Sequence, residues 1–442
     1  MGYIDNILFA VLLAVGFGFF ISNVKKLIRN IKLGQDVDRS DNKGERWANM
    51  ARVALGQSKM VKRPIAAILH IIVYVGFIII NIELLEIIID GLFGTHRVFA
   101  FMGTAYNVLI GAFEILAILV LVAVITFLVR RNIIKLKRFI HNDLKGWPKS
   151  DANYILYFEI VLMALFLLMN AADFTLQQRG APHFIQAGSF PVSQFVAPVF
   201  NSISTETLLI LERVFWWMHI AGILIFMNYL YFSKHLHILL AFPNTYFADL
   251  NPLGKFDNLE SVTKEVKLMM DPNADPFAAP AADADAAPAK FGASDVQDLN
   301  WVQLLNAYTC TECGRCTSSC PANITGKKLS PRKIMMDTRD RLEEVGKNID
   351  ANKGVFVADN KTLLNDYITP EELWACTSCN ACVEECPVNI SPLSIIMDMR
   401  RYLVMEQSAA PMSLNAMMTN VENNGAPWQY SQQDRLNWKN EN

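Results

Sequence analysis

Cysteine is absent before residue 310 and after residue 386, and no long apolar run follows residue 232. The chain also lacks a glycine-rich nucleotide-binding loop, a nucleophile triad and a flavin fingerprint, so it is not expected to bind an organic redox cofactor of that kind itself. Its net charge of −2 argues against a generally basic surface that would coat nucleic acid. No nucleic-acid partner is therefore expected.

Hydrophobic residues make up 52% of the sequence and are concentrated in its first half. The first apolar stretch has no basic residue before it and several after it, so we interpret it as a retained helix and not as a signal peptide. Five stretches are long enough, or nearly so, to cross a bilayer as helices: 7–21, 65–89, 99–129, 154–172 and 208–232.

Lysine and arginine are distributed unevenly between the two sides of these five stretches. The segments 90–97 and 173–206 contain only Arg97 and Arg179, whereas basic residues crowd 25–32, 52–63, 130–149 and the segment after Lys234. By the positive-inside rule, the N-terminus is expected outside and the C-terminal half in the cytoplasm. The pattern predicts a multi-pass protein of a bacterial inner membrane, embedded in lipid.

The composition changes twice after the last apolar stretch. We expect a membrane domain at 1–245, a connector at 246–293 with an Ala/Pro/Asp-rich linker at 271–290, a compact helical domain at 294–407 and a polar docking tail at 408–442. The predicted fold class is all-α: a bundle of five transmembrane helices with a cytoplasmic α-helical domain.

The only internal repeat is built on cysteine, and its two copies use all eight cysteines of the chain. Each copy reads C-x2-C-x2-C-x3-C-P, a spacing in which three thiolates hold one [4Fe–4S] cluster and the fourth reaches the other cluster. The predicted ligand sets are Cys310, Cys313, Cys316 and Cys386 for the first cluster, and Cys376, Cys379, Cys382 and Cys320 for the second.

Zinc sites and disulfides are the alternatives to two clusters. Zinc usually takes two pairs of ligands and leaves the third cysteine and the following proline without a use, and disulfides are disfavoured in a cytosolic domain. The stretches 331–345 and 370–375 between the motifs have helical patterns. They favour an α-helical ferredoxin domain over short βαβ hairpins.

Three histidines are candidate haem ligands: His70, His219 and His237. A continuous helix would place His219 and His237 on one face, five turns or roughly 27 Å apart, with His235 nearly opposite. A histidine in an apolar span is costly without a partner, and the simpler interpretation is a hydrogen bond to Asn81, Asn107 or Asn228. Together with two clusters on the same chain, axial haem ligation is the better explanation.

Two parts of the chain resemble known families. The stretch from His219 to His237, with Ile238 and Pro243, resembles the last helix of the haem b gamma subunit of respiratory nitrate reductases. The cysteine domain and the tail NVENNGAPWQYSQQDRLNW resemble heterodisulfide-reductase-like iron–sulfur oxidoreductases, among which membrane-bound electron-transfer-flavoprotein:menaquinone oxidoreductases fuse both parts. The resemblance covers nearly the whole chain.

The resemblance implies that His70 and His237 are the axial pair of a haem near the cytoplasm and that His219 is a ligand of an outer haem. The second histidine expected ten residues after His70 is Ile80, so an outer haem would be absent, five-coordinate or completed from elsewhere. A single haem held by His70 and His219 is the remaining alternative. One or two haems are therefore expected.

The function implied is electron transfer from a cytosolic reductant through both clusters and haem b to a quinone, menaquinone by the resemblance, or the reverse. The cysteine-rich CCG repeats of the group are not found after the tail, so a separate CCG-type or flavoprotein partner is expected. The rival interpretations are a redox sensor and a membrane-tethered ferredoxin. Candidate proton carriers within the helices are Glu83, Glu86, Glu114, Glu159 and Glu212.

Overall fold

The fold was analysed in a computed structural model, which describes residues 3–273 and 290–440. The described residues form helices, turns and two isolated β-bridges, without a β-strand. The all-α fold class is thus confirmed. The predicted linker at 271–290 lies almost entirely outside the described residues.

Five helices are long and apolar enough to cross a membrane, as predicted. The third begins at Thr104 and not near residue 99, because Gly103 has a φ of +58° and separates it from a short 3-10 helix, Val98–Met102. The long helices are α1 (Tyr3–Ile31), α3 (Pro64–Phe93), α4 (Thr104–Leu128), α5 (Trp147–Gln178) and α7 (Thr205–Tyr229), and the shorter ones among them are α2 (Lys43–Met50) and α6 (Ser193–Val196).

The five long helices pack in a ring in chain order, with α7 returning to α1; we call this ring the bundle. Small residues allow close approach: a Cβ atom on Gly91 would lie 2.5 Å from the ring of Phe9, and one on Gly76 would lie 2.5 Å from Val120. Such contacts are typical of membrane helices, where burial of apolar surface gives little drive for association. Many apolar side chains face outward from the ring, as expected for a lipid-facing surface.

The last membrane helix does not continue to His237, contrary to the five-turn prediction. Helix α7 ends at Tyr229 and is followed by 3-10 turns on either side of Ser233, which is extended with φ −121° and ψ 145°. The break is stabilised by Asp151, whose carboxylate accepts hydrogen bonds from the Tyr229 hydroxyl at 2.6 Å and the Lys234 N–H at 3.2 Å. A new helix, α8, starts at His237.

The remaining helices form the C-terminal half and the tail. The tail aromatics Trp428, Tyr430 and Trp438 are exposed. The helices are α8 (His237–Tyr246), α9 (Glu260–Met270), α10 (Trp301–Thr309), α11 (Arg315–Ser319), α12 (Pro321–Ile324), α13 (Pro331–Ala351), α14 (Leu363–Asp366), α15 (Pro370–Trp374), α16 (Ala381–Glu385), α17 (Pro392–Met405) and α18 (Met412–Asn424).

Residues 294–407, which we call the cluster domain, dock on one end of the bundle through polar contacts. Arg63, just before α3, pairs with Glu385 at 3.2 Å. Lys234, just after α7, pairs with the buried Glu312. The lysine- and arginine-rich loops thus lie at this end, which we call the cluster end, while Arg97 lies at the opposite end.

Candidate redox centres

The two cysteine motifs share an unusual backbone conformation. In the first motif, Glu312 and Gly314 flank the second cysteine with φ of +55° and +73°. In the second, Ser378 and Asn380 occupy the equivalent positions with φ of +55° and +59°. Each loop then enters a five-residue helix, α11 or α16, that ends at the fourth cysteine. The repeat seen in the sequence is therefore also a structural repeat.

The structure places cysteines of the two motifs beside one another. One cavity is lined by Cys310, Cys313, Cys316 and Cys386, which are the predicted first set, and also by Cys382 of the second set. Cys382 lies close enough to Cys376, Cys379 and Cys320 for their charges to interact. Among the described residues, no three metal-binding side chains converge on a single-ion site.

The surroundings of the thiols act on their charge in two opposite ways. Burial raises the pKa of Cys310 and Cys382 to about 12 and that of Cys386 to about 11. Backbone N–H groups nevertheless donate to sulfur, from Ile390 to Cys386 at 3.3 Å. Such donors stabilise a thiolate, which is the form that binds iron. Cys379 is exposed, whereas Cys310 is buried.

Positive charge lies between the first cysteine set and the bundle. Arg315, two residues after Cys313, donates hydrogen bonds to the carbonyls of Lys59 at 2.9 Å and Met60 at 3.3 Å, in the loop that leads into α3. Burial lowers the pKa of both Arg315 and Lys59. The charge of Arg315 also acts on His70. This loop therefore joins the first cysteine set directly to the helix that carries His70.

Three histidine rings meet at the cluster end of the bundle. The ring centroids of His70 and His237 are 6.4 Å apart, and those of His235 and His237 are 5.5 Å apart. His235 is thus beside His237 and not on an opposite face, because the break at Ser233 turns the chain. We call His70, His235 and His237 the histidine trio.

The separation of His70 and His237 fits two axial ligands of one iron. Because an imidazole nitrogen binds a transition metal at about 2.0–2.1 Å, rings on opposite sides of one metal have centroids about 6 Å apart. Nδ1 of His237 lies 3.2 Å from the Lys234 carbonyl, a contact that would hold the proton on Nδ1 and leave Nε2 free to bind. Burial lowers the pKa of His237, which keeps the ring neutral.

His219 lies apart from the trio, with its ring 6.1 Å from that of Phe166. It lines a cavity of about 90 Å³ between α3, α4, α5 and α7, which we call the His219 cavity. Ile80, the position where the resemblance expects a second histidine, lines the same cavity, and His219 is the only histidine among its lining residues. The cavity therefore offers one imidazole nitrogen and an aliphatic side chain.

The five carboxyl groups proposed as proton carriers differ in their surroundings. Glu114 accepts hydrogen bonds from the Val192 and Ser193 N–H groups at 2.8 and 3.0 Å, so it holds the loop before α7. Glu86 accepts from the Phe99 N–H and the Tyr106 hydroxyl, and Glu212 pairs with Arg213. Only Glu83 and Glu159 line the His219 cavity.

Sequence reasoning missed a buried ion network at the opposite end of the bundle. Arg97 donates from Nε to Asp173 at 2.6 Å and from Nη1 to the Tyr106 hydroxyl at 3.1 Å. The available signal was that Arg97 is one of only two basic residues on that side. Together with Glu83, Glu86 and His96, these residues line a second cavity of about 40 Å³, which we call the Arg97 cavity.

A second missed contact holds the cluster domain on the bundle. Arg332, at the start of α13, is fully buried and donates to Asp143 from Nε at 3.2 Å and to the Arg138 carbonyl at 2.7 Å. Burial would raise the pKa of Asp143, but the hydrogen bonds and charge of Arg332 hold it below its usual value. Asp143 lies in the loop before α5, so the pair joins the two domains.

We expect Arg332→Met to weaken docking by about 3–5 kcal/mol, because it leaves the buried Asp143 carboxylate without its cation. The measurement is the thermal midpoint of the full-length protein together with hydrogen exchange in α13 and in the loop at 137–144. Lys328→Met is the matched control, since Lys328 and Glu371 form an exposed pair worth at most about 1 kcal/mol. Equal effects of the two variants would contradict the docking role.

Residues 309–390 match the family described as 4Fe-4S dicluster domain. The chain is similar along 99% of its length, at 30% identity, to the "Probable iron-sulfur-binding oxidoreductase FadF" of Bacillus subtilis, and covers 61% of that protein. It is 26% identical along 96% of its length to the "EtfAB:quinone oxidoreductase" of Syntrophomonas wolfei, and covers 57% of it. A "Probable membrane-anchored ferredoxin" of Chromohalobacter salexigens is 35% identical over 36% of this chain and 25% of its own length.

The chain spans about three-fifths of the length of the first two of these relatives. No solved structure matches it. These comparisons do not show the expected resemblance of the membrane half to the nitrate reductase gamma subunit. The relatives are oxidoreductases, the first of them described as iron–sulfur-binding, and both cysteine motifs of this chain lie within the match to the 4Fe-4S dicluster family.

Proposed function

We propose that the chain is the membrane-bound electron-transfer subunit of a quinone-linked oxidoreductase, passing electrons between a cytosolic redox partner and the quinone pool. The observation that carries this proposal is the order of the candidate centres. Cys379 is exposed, whereas Cys310 and Cys386 of the first cysteine set are buried, and Arg315 links that set to the loop before α3. The His70–His237 pair follows inside the bundle. The similarity to the EtfAB:quinone oxidoreductase of Syntrophomonas wolfei supports a quinone as the membrane substrate.

The residues present fit the cofactors that this function needs. Cys310, Cys313, Cys316 and Cys386 would hold one [4Fe–4S] cluster, and Cys376, Cys379, Cys382 and Cys320 the other. When bound, the clusters and haem b would supply one-electron chemistry. The chain's own contribution is to exclude water from the buried cysteines, to orient His237 through Lys234, and to keep the centres close by docking the cluster domain.

The histidines support one haem b, held by His70 and His237. Their ring centroids lie 6.4 Å apart, a separation that would allow both imidazoles to bind one iron. A bis-histidine outer haem on His219 does not fit. Ile80 lies at the second ligand position in the His219 cavity, and its side chain has no atom that could bind iron. A single haem held by His70 and His219 is disfavoured, because the ring of His70 lies beside that of His237 in the histidine trio.

The proposed setting is a bacterial inner membrane, with the cluster end in the cytoplasm. The cluster domain and the basic loops share that end, which agrees with the positive-inside rule. The proposed partner is a separate CCG-type or flavoprotein redox protein that contacts the exposed Cys379 edge, with the exposed tail as a second contact. Menaquinone is the proposed quinone.

Reoxidation of the reduced protein by a quinone tests the proposal directly. Full-length protein in lipid nanodiscs is reduced anaerobically, menaquinone is added, and the b-type absorption is followed. We expect about eight non-haem irons per chain, a b-type spectrum and quinone-dependent reoxidation. A b-type spectrum without reoxidation would indicate a redox sensor, and a protein with clusters but no b-type absorption would be a membrane-tethered ferredoxin.

A further inference from the structure

We propose that the quinone head group binds in the His219 cavity and exchanges its protons with the Arg97 end of the bundle through Glu83. This proposal rests on the proposed quinone function and goes further, since it names the site and the side of the membrane from which the protons come. It is carried by two buried polar groups that point into one membrane cavity, and by a second cavity that shares one of them.

The His219 cavity has the size and walls of a site for a planar ring. Its volume of about 90 Å³ corresponds to roughly six to nine water positions. Aliphatic and aromatic side chains from four helices form most of its wall, including Phe77, Val120, Phe166 and Phe226. A cavity of this kind is suited to an apolar ring that carries a few polar atoms.

Two polar side chains in this wall lack a partner. His219 and Glu83 are each 4% exposed, and neither Nδ1 of His219 nor Oε2 of Glu83 has a hydrogen-bond partner in the part of the chain described. Buried groups without partners are costly, so such groups in a cavity point to a ligand. A quinone carries two carbonyl acceptors on opposite edges of its ring. A protonated Glu83 can donate to one of them, and Nδ1 of His219 can donate to the other once it has taken up a proton.

Glu83 also lines the Arg97 cavity, whose volume of about 40 Å³ holds roughly three or four waters. Beyond it, Asp173 lies 3.4 Å from Nε2 of His96, and the ring of His96 lies 5.8 Å from that of the exposed His183. A chain of polar groups therefore connects Glu83 to the surface at the end opposite the cluster domain.

The charged and titratable groups around Glu83 come from every neighbouring element. Glu159 approaches the cavity from the cluster end, where its carboxylate lies 4.0 Å from Nε2 of His235. That side offers the competing proton route. The full set is Glu86 and Asp90 on α3, His96 and Arg97 in the following turn, Tyr106 and Glu114 on α4, Glu159 and Asp173 on α5, and Glu212, Arg213 and His219 on α7.

The reaction balances with the electrons that the proposed function supplies. Quinone takes two electrons, which originate from the cytosolic reductant, and two protons, and both carbonyl oxygens become hydroxyls. Glu83 gives a proton to one oxygen and is reprotonated from the Arg97 cavity. Nδ1 of His219 takes up a proton from Glu83 through the shared cavity and passes that proton to the other oxygen, while Nε2 keeps its own proton toward the Leu162 carbonyl. Oxidation of the quinol reverses each transfer.

Sided proton uptake in vesicles tests the route. Full-length protein is reconstituted in menaquinone-containing liposomes with the cluster end outward, a pH-sensitive dye is trapped inside, and an impermeant reductant is added outside. We expect the interior to become alkaline by about two protons per quinone reduced. Glu83→Gln should reduce this uptake at least tenfold, whereas Glu206→Gln, an exposed carboxyl at the same end, should leave it unchanged.

Every other outcome contradicts either the proposed proton route or the quinone function on which the route rests. Wild-type quinone reduction without internal alkalinisation, or loss of proton uptake in Glu159→Gln but not in Glu83→Gln, would show that the protons come from the cluster end. Wild-type protein that does not reduce quinone at all would remove the proposed function itself. The two failures are therefore distinguishable.

Binding tests the site independently of turnover. A short-chain naphthoquinone is titrated into the oxidised full-length protein by calorimetry, and haem is quantified in the same sample. We expect His219→Leu to weaken binding at least tenfold and to keep the haem content of wild type. Loss of a haem in His219→Leu, or unchanged naphthoquinone binding, would overturn the assignment of this cavity to quinone.

Discussion

His70→Ala and His237→Ala should each abolish the b-type absorption while leaving about eight non-haem irons per chain. Each variant removes one of the two rings whose centroids lie 6.4 Å apart, and an iron that loses one of two axial imidazoles loses the bis-histidine spectrum. The clusters should persist, since neither histidine contributes to the cysteine sets. The measurement is a reduced-minus-oxidised visible spectrum with haem and iron quantified on the same purified sample.

His235→Ala is the matched control for these two variants. Its ring lies 5.5 Å from that of His237 and in the same trio, but it faces Glu159 at 4.0 Å. Burial, followed by the neighbouring rings, lowers its pKa to about 3, so its removal deletes a neutral packing group. We expect this variant to keep the b-type band. Loss of haem in His235→Ala with retention in His70→Ala would replace the proposed ligand pair.

The sequence was sufficient for the features that depend on local spacing. A run of apolar residues long enough to span a bilayer must satisfy its backbone internally, so the five helices followed from hydropathy alone. The spacing of the repeat predicted that a cysteine of one motif joins three of the other, and the structure places Cys386 beside Cys310, Cys313 and Cys316. The helices needed only residues within one stretch, whereas the cysteine sets needed the repeat to be recognised in two places.

The features that depend on distant side chains were not predictable in the same way. Periodicity assumed an unbroken helix from His219 to His237, but Asp151 on α5 binds the chain around Ser233 and ends that helix. The contact of Arg332 with Asp143 joins positions 189 residues apart. In the sequence, Arg332 and Asp143 resemble ordinary surface charges. Only the packing of the two domains shows that they form a buried pair.

The arrangement gives the two halves of the chain different electrostatic tasks. At the cluster end, Arg315 and Lys59 surround the first cysteine set with positive charge, which favours the more negative, reduced state of whatever the thiolates hold. At the opposite end, Arg97 and Asp173 form a buried neutral pair beside the unpartnered Glu83. Electrons would therefore enter at one end and protons at the other, with the His219 cavity between them.

Cys386→Ser should remove the same cluster as Cys310→Ser, although the two residues belong to different motifs. The reason is the crossed arrangement, in which Cys386 lines the cavity formed by the first motif. A serine hydroxyl is a poor substitute for a thiolate, so we expect non-haem iron to fall from about eight to about four per chain in each variant. Electron paramagnetic resonance of the reduced protein should show the same signal lost in both.

Cys320→Ser and Cys382→Ser complete the test as a reciprocal pair. Cys382 senses the charges of Cys376, Cys320 and Cys379, so both variants should lose the other signal and keep the one lost in Cys386→Ser. An uncrossed arrangement predicts the opposite grouping, with Cys386→Ser matching Cys382→Ser. Because the exposed Cys379 belongs to the second set, loss of that cluster should also slow reduction by a protein donor at least tenfold, while direct chemical reduction of the first cluster remains fast.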